Sequence, residues 1–113
     1  GYITAPHYYN FTLGVQGALP ASINNLYYLK ESLPPGATWG VVHHGMKNLS
    51  LLATAISMGA TLIRCGFEDS FTYAPGKIAQ KNTEIVKEVR KMIEILGFEV
   101  ATPDEAREIL DLI

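Results

Sequence analysis

Arg64, Glu68 and Asp69 close an otherwise apolar run, Thr61-Leu62-Ile63-Arg64-Cys65-Gly66-Phe67-Glu68-Asp69, and these three side chains are where chemistry is expected. A guanidinium is permanently charged and offers a planar fork to a carboxylate or an oxyanion. A carboxylate can ligate a metal ion or move a proton. If the whole run is one strand, alternation sends Leu62, Arg64, Gly66 and Glu68 to one face and Ile63, Cys65 and Phe67 to the other. In a parallel sheet covered by helices both faces are buried, so Arg64 and Glu68 must face a polar cavity, a metal or each other. Asp69 starts toward the opposite side, yet a turn at the strand end can carry it over the same rim. The plain alternatives are a structural Arg64–Glu68 ion pair and an Asp69 that caps a loop or helix.

The elements that must position these groups alternate along the chain. Tyr8 to Leu13, Thr38 to His43 and Thr61 to Glu68 read as extended, Ser22 to Leu33 and Asn48 to Met58 as helical, giving a βαβαβ series. The first helix opens after Pro20 with Ser22 as cap and stops at Pro34-Pro35-Gly36. The second aligns Leu49, Leu52, Ala53 and Ile56 and closes at Gly59. A third, from about Asn82 to Leu96, places Ile85, Val86, Val89, Met92, Ile93 and Leu96 on one stripe and ends at Gly97. Thr102-Pro103-Asp104-Glu105 reads as a capping box, so Ala106, Ile109, Leu110 and Ile113 belong to a short closing helix. Such α/β units form either an open doubly wound sheet or part of a (β/α)8 barrel. A barrel takes about 250 residues, and 113 residues with three strands are expected to be an incomplete one, with open strand edges.

Two further groups follow strands and precede helices. Gly14 and Gly17 in one turn, and Lys47 in the segment Gly45-Met46-Lys47-Asn48, could present backbone N–H groups and an ammonium to a phosphate or carboxylate. Glycine also serves such turns for geometry alone. His43 and His44 are adjacent and point to opposite faces of a strand, so they are expected to be a satisfied buried histidine and a surface one. His7 is expected in a loop, and Cys65 as a small core residue on the helix-facing side.

Composition narrows the function. The chain is 48% hydrophobic and 18% charged with net charge -2, and no basic segment interleaved with aromatics suggests nucleic acid as a partner. One cysteine rules out an internal disulfide and fits a reducing compartment, with the cytoplasm as the expected location. No apolar run is long enough for a membrane span and no secretion signal is visible, so no membrane partner is expected.

Arg64-Cys65-Gly66-Phe67-Glu68-Asp69, Lys81-Asn82-Thr83-Glu84-Ile85-Val86 and Ala101-Thr102-Pro103-Asp104-Glu105-Ala106-Arg107 together resemble the β-keto acid cleavage enzymes, typified by the 3-keto-5-aminohexanoate cleavage enzyme of lysine fermentation. The family's strand signature is Arg-x-Gly-Leu-Glu-Asp-Asn, here with Phe67 for leucine and Ser70 for asparagine. Gly14-Val15-Gln16-Gly17-Ala18 is similar to its glycine-rich turn, with Gln16 for the usual proline and Ala18 for glycine.

The resemblance implies a zinc-dependent TIM barrel that exchanges acyl groups between a 3-keto acid and acetyl-CoA, of which residues 1–113 form the carboxy-terminal part. It implies Glu68 as a zinc ligand, Arg64 and Asp69 as catalytic, and Gly14, Gly17 and Lys47 as candidates for binding substrate. The family's His-x-His zinc motif has no counterpart here. The missing groups are expected from the rest of the barrel or from other copies in a homo-oligomer. Two other readings compete: a non-catalytic assembly module pairing through its open sheet edge, and a flavodoxin-like nucleotide binder suggested by the βαβ pattern and the glycine turns.

Overall fold

The computed structural model describes residues 7–112. It contains β1 (Tyr8–Leu13), α1 (Ile23–Glu31), β2 (Thr38–His43), α2 (Ser50–Ser57), β3 (Leu62–Arg64), β4 (Thr72–Ala74), β5 (Lys77–Ile78), α3 (Asn82–Ile95) and α4 (Pro103–Ile109). Strands β1, β2 and β3 make a parallel three-stranded sheet in that order, with Leu13 opposite His43 and Val42 opposite Arg64. The βαβαβ series is therefore an α/β unit with β2 at its centre.

Local chemistry explains the helix ends. The Ser22 hydroxyl accepts from Asn25 N–H at 3.2 Å and starts α1. Asn48 Oδ1 accepts from Ser50 N–H and sets the entry of α2, which closes at Gly59 with φ 100°. At α4 the expected capping box is complete, since Thr102 accepts from Glu105 N–H and the Glu105 carboxylate accepts from Thr102 N–H at 2.7 Å.

The core lies on one side of the sheet. Tyr9, Phe11 and Leu13 of β1, Trp39 and Val41 of β2, and Ile63 with the following Cys65 pack against Leu26 of α1, Leu51, Leu52 and Ala55 of α2, and Ile85 and Val89 of α3. Phe11 and Trp39 meet with ring centroids 5.7 Å apart. The buried stripe of α2 is Leu51, Leu52, Ala55 and Ile56, rotated from the expected Leu49, Leu52, Ala53 and Ile56, with Leu49 as the cap residue. On α3, Ile85 and Val89 are buried while Val86 is exposed. No α4 residue is buried, although Ala106 and Leu110 are partly covered, and Ile113 lies outside the described residues.

The other face of the sheet is exposed along β1 and buried at its centre, where Gly40 and Val42 lie, and Ile109 and Leu110 at the end of α4 line a hollow with Tyr8. This face carries Tyr8, Asn10 and Thr12, all exposed, then Gly40, Val42, Leu62 and Arg64. Gly40 permits close packing there, because a Cβ would stand 2.5 Å from the Leu62 carbonyl oxygen and 2.6 Å from the Tyr8 hydroxyl.

Two departures from the expected elements bear on the site. The third strand stops at Arg64 rather than reaching Glu68, because Gly66 adopts φ 143° and its carbonyl accepts from both Asp69 and Ser70 N–H, folding 66–70 into a turn. The segment after it forms an antiparallel hairpin, β4–β5, whose link Pro75-Gly76 has the residue order of a turn that needs φ > 0 at its third position, with Gly76 at φ 71°. Leu52 is 1% exposed against this core, and Leu52→Ala should lower the unfolding free energy by about 2–5 kcal/mol in urea titration.

Candidate active site

Arg64 closes β3 on the open face, since its neighbours Ile63 and Cys65 both pack toward the helices. The turn at Gly66 then reverses the chain and brings both carboxylates back onto it. Arg64 Nε donates to Asp69 Oδ2 at 2.9 Å and Nη2 donates to Asp69 Oδ1 at 3.1 Å, a bidentate fork. Nη2 also donates to Glu68 Oε2 at 2.7 Å. One guanidinium thus serves two carboxylates, and the three groups sum to one negative charge.

The two partners differ in setting. The Asp69 side chain is 11% exposed, Arg64 45% and Glu68 84%. Asp69 is sheltered and held at both oxygens, whereas Glu68 projects outward with Oε2 on the arginine. The expectation that Arg64 and Glu68 share a face of one strand is corrected: Glu68 belongs to the turn, and Asp69, not the strand alternation, provides the closer match to the fork. The Arg64 Nη1 edge has no hydrogen bond among the described residues. It is available to an anionic group.

The loops beyond the strand ends are laced to this cluster. Gly45 N–H donates to the Asp69 carbonyl at 2.8 Å, and the Ser70 hydroxyl, 6% exposed, donates to the Met46 carbonyl at 3.1 Å. Phe67 N–H donates to Asn82 Oδ1 at 2.8 Å. His44 N–H donates to the Leu13 carbonyl, and a Cβ on Gly14 would lie 2.5 Å from the His44 carbonyl oxygen. The carboxyl ends of all three strands therefore form one connected rim, with Gly14 at one end and Asp69 at the other.

Gly14, Gly17 and Lys47 all sit on this rim. Gly14 and Gly17 both have φ 88°, and Gly14 also requires the close approach to His44, so backbone geometry accounts for both glycines. Lys47 is exposed and makes no ion pair among the described residues. Two small hollows, of about 240 and 50 Å³, lie at the opposite end, around Trp39 and Pro34 and around Tyr8 and Leu110. They contain none of the candidate groups.

One of the two adjacent histidines departs from expectation. His44 is exposed, but His43 is half-buried and its Nδ1 has no hydrogen-bond partner, so it is not a satisfied core histidine. Burial, and then the neighbouring His44, hold the His43 pKa below its ordinary value. His7 lies just before β1, as expected for a loop, with its ring tilted against Tyr9 at a centroid distance of 6.1 Å. Cys65 packs toward the helices as expected, and burial, with the Asp69 charge second, pushes its thiol up.

Zinc fits this arrangement only as a shared ion. Glu68 supplies a donor of the right type, exposed at the rim. No group of three or more His, Cys, Asp and Glu side chains able to hold a metal exists among the described residues. Neither histidine of the rim joins Glu68 in such a group.

Sequence reasoning missed two features that shape the site. The turn at Gly66 was signalled only by the glycine itself, and the anchoring of that turn by Asn82 and Ser70 depends on contacts across the fold.

An arginine with two adjacent carboxylates at the carboxyl end of a parallel strand, in a chain built of βα units, has the residue types that acid–base or metal-assisted chemistry uses. The model of the beta-keto acid cleavage enzyme family matches residues 1–112, and the chain belongs to that family. It is 43% identical to the 3-keto-5-aminohexanoate cleavage enzyme of Fusobacterium nucleatum over 112 residues, covering 99% of this chain and 40% of that protein. The enzyme of the same name from Acetoanaerobium sticklandii is 37% identical, with 99% of this chain and 41% of that protein covered. A 3,5-dioxohexanoate:acetyl-CoA acetone transferase from Paraburkholderia graminis is 28% identical over 116 residues, with 99% and 37% covered. The chain thus spans about two fifths of the length of these curated relatives. No helix among the described residues is long and apolar enough to cross a membrane.

The unfolded chain protonates a histidine near pH 6.5, whereas folded His43 resists the proton. The His43 contribution is therefore fully present above about pH 6.5 and is lost as pH falls through the lower folded value. The melting temperature should drop between about pH 7.5 and 5.5, and His43→Gln should flatten that drop; an equal drop in the variant would contradict the assignment. Cys65 should react with iodoacetamide at pH 7.5 about tenfold or more slowly in the native chain than in urea, as expected for a half-buried thiol with a raised pKa.

Proposed function

We propose that this chain is the carboxy-terminal portion of a zinc-dependent β-keto acid cleavage enzyme, which exchanges acyl groups between a 3-keto acid and acetyl-CoA to release acetoacetate and a new CoA thioester. The observation that carries the reading is the double engagement of Arg64 by Asp69 and Glu68 at a strand end, in a chain of this family. Relatives named as 3,5-dioxohexanoate:acetyl-CoA and 3-oxoadipate:acetyl-CoA transferases support acetyl-CoA as the shared co-substrate.

In this reading β1, β2 and β3 are three adjacent staves of a (β/α)8 barrel and their open face is its interior. The helix-packed core on one face, the exposed β1 side chains on the other and the clustering of charged groups at the carboxyl ends support it. The remaining staves, or other copies of the chain in a homo-oligomer, supply what residues 1–113 lack. The cytoplasm is the location we assign.

Asp69 is the group we assign to proton transfer at the carbon beside the keto group. Arg64 holds its carboxylate by both oxygens, fixing the direction of its remaining lone pairs. Arg64 Nη1, without a hydrogen bond among the described residues, is where we would dock the substrate carboxylate or an oxyanion formed on the acyl group. Glu68 would hold the zinc, which supplies Lewis-acid polarisation of the 3-keto oxygen. To do so Glu68 must keep one oxygen on Arg64 and give the other, and its exposure allows both. Lys47, with the turn of Gly14 and Gly17, is the group we assign to receive the CoA phosphates or the keto-acid carboxylate.

A second reading, a non-catalytic module that assembles through its sheet edges, is favoured by the incomplete metal set and by β1 and β3 each having one unpaired side among the described residues. Turnover distinguishes the two. In the enzyme with its barrel complete, Asp69→Asn should lower kcat by about 10²–10⁴ with zinc retained, the range for loss of a general base. Glu68→Gln should lose zinc as well as acetoacetate release. Undiminished release in either variant would remove that residue from the mechanism.

A further inference from the structure

We propose that Asn82 is a positioning residue for the Arg64 cluster: it fixes the turn that delivers both carboxylates to the guanidinium. The inference rests on the reading of Arg64 and Asp69 as the reacting pair for its importance, but not for its geometry.

The turn has little of its own to hold it. Its internal bonds both run to one acceptor, the Gly66 carbonyl, from Asp69 N–H at 3.1 Å and Ser70 N–H at 2.8 Å. Its pivot, Gly66 at φ 143°, is a residue type whose backbone is otherwise free to swing. A free pivot of this kind would spread Glu68 and Asp69 over many positions, so the observed fork requires an outside restraint. On the far side that restraint is Gly45 N–H on the Asp69 carbonyl, with the Ser70 hydroxyl on Met46. On the near side it is Asn82.

Asn82 Oδ1 accepts the Phe67 N–H at 2.8 Å and stands 3.3 Å from where a Gly66 Cβ would be, with its amide carbon and nitrogen at 3.8 Å. The amide therefore both bonds the turn and occupies the space beside the glycine. An asparagine at a helix start ordinarily serves its own helix. Here the cap residue of α3, Lys81, makes no side-chain cap bond, Glu84 takes the Gln80 N–H at 3.1 Å, and the Asn82 acceptor points to a turn 15 residues upstream. The helix behind it is well anchored, with Ile85 fully buried and Val89 nearly so. Helix α3 is the fixed body, and Asn82 couples the carboxylate turn to it.

The test is proton exchange at the arginine Nε–H groups of the 113-residue chain, read by 15N NMR. Arg64 Nε–H reports the Asp69 fork, and Arg90 Nε–H, bonded to Glu94 at 2.9 Å on the exposed side of α3, is the internal control. Asn82→Ala should speed exchange at Arg64 by about tenfold, the scale of one charge-assisted hydrogen bond, with Arg90 unchanged. Asn82→Asp, which keeps the oxygen acceptor, should restore protection at Arg64. Unchanged exchange at Arg64, equal acceleration at both arginines, or no rescue by aspartate would overturn the proposal. Should Asn82→Ala fail to fold, Asn82→Gln displaces the amide by one methylene and carries the same test, with faster Arg64 exchange expected and wild-type exchange fatal. Because the readout is geometric, loosening of Arg64 without loss of turnover in the complete enzyme would instead strike the functional reading and leave the positioning role standing.

Discussion

Everything at the rim depends on giving one guanidinium its counter-charges at the point where a parallel strand runs out. Arg64 carries a charge that cannot be removed by deprotonation, and its side chain, 45% exposed, divides its contacts between water and two carboxylate partners. The chain provides them by stopping β3 at Arg64 and folding back at Gly66, so that Asp69 meets the fork edge-on and Glu68 meets it from solvent. Had the strand continued to Glu68, alternation would have put Asp69 on the far face, and the bidentate contact could not form. The glycine is thus a requirement of the charge arrangement as well as of the turn.

The same economy links the three βα loops. Main-chain bonds from His44 to Leu13 and from Gly45 to Asp69, together with Ser70 on Met46, carry the constraint from strand to strand without a buried ion. Rigid strands and α3 hold the ends, and the loops carry the polar groups. That division of labour is what barrels of βα units exploit at their carboxyl ends. The exposed row of Tyr8, Asn10 and Thr12 on the face opposite the helix-packed core continues the same surface toward the amino end of β1.

Much of this was legible in the residues. Tyr8–Leu13 and Thr38–His43 follow from β-branched and aromatic runs between turn residues, and α3 and α4 from a 3.6-residue stripe and a capping box. The candidate trio Arg64, Glu68 and Asp69 was legible too, because charges at the end of an apolar run have no packing purpose. What escaped was set by tertiary context. The strand was read past Gly66 since one glycine in an apolar run does not by itself announce φ 143°. The β4–β5 hairpin is three and two residues long, too short for alternation to register, and only Pro75-Gly76 marked it. The unbonded Nδ1 of His43 and the reach of Asn82 across to Phe67 depend on neighbours distant in sequence.

The most direct test of the central claim is a pair of double-mutant cycles by urea unfolding, Arg64 with Asp69 and Arg64 with Glu68. The account predicts a coupling of about 0.5–1 kcal/mol for the sheltered, bidentate Asp69 and a value indistinguishable from zero for the solvent-exposed Glu68. A coupling to Glu68 equal to or larger than that to Asp69, or strict additivity in both cycles, would show that the Arg64–Asp69 fork is not the interaction on which the rim depends.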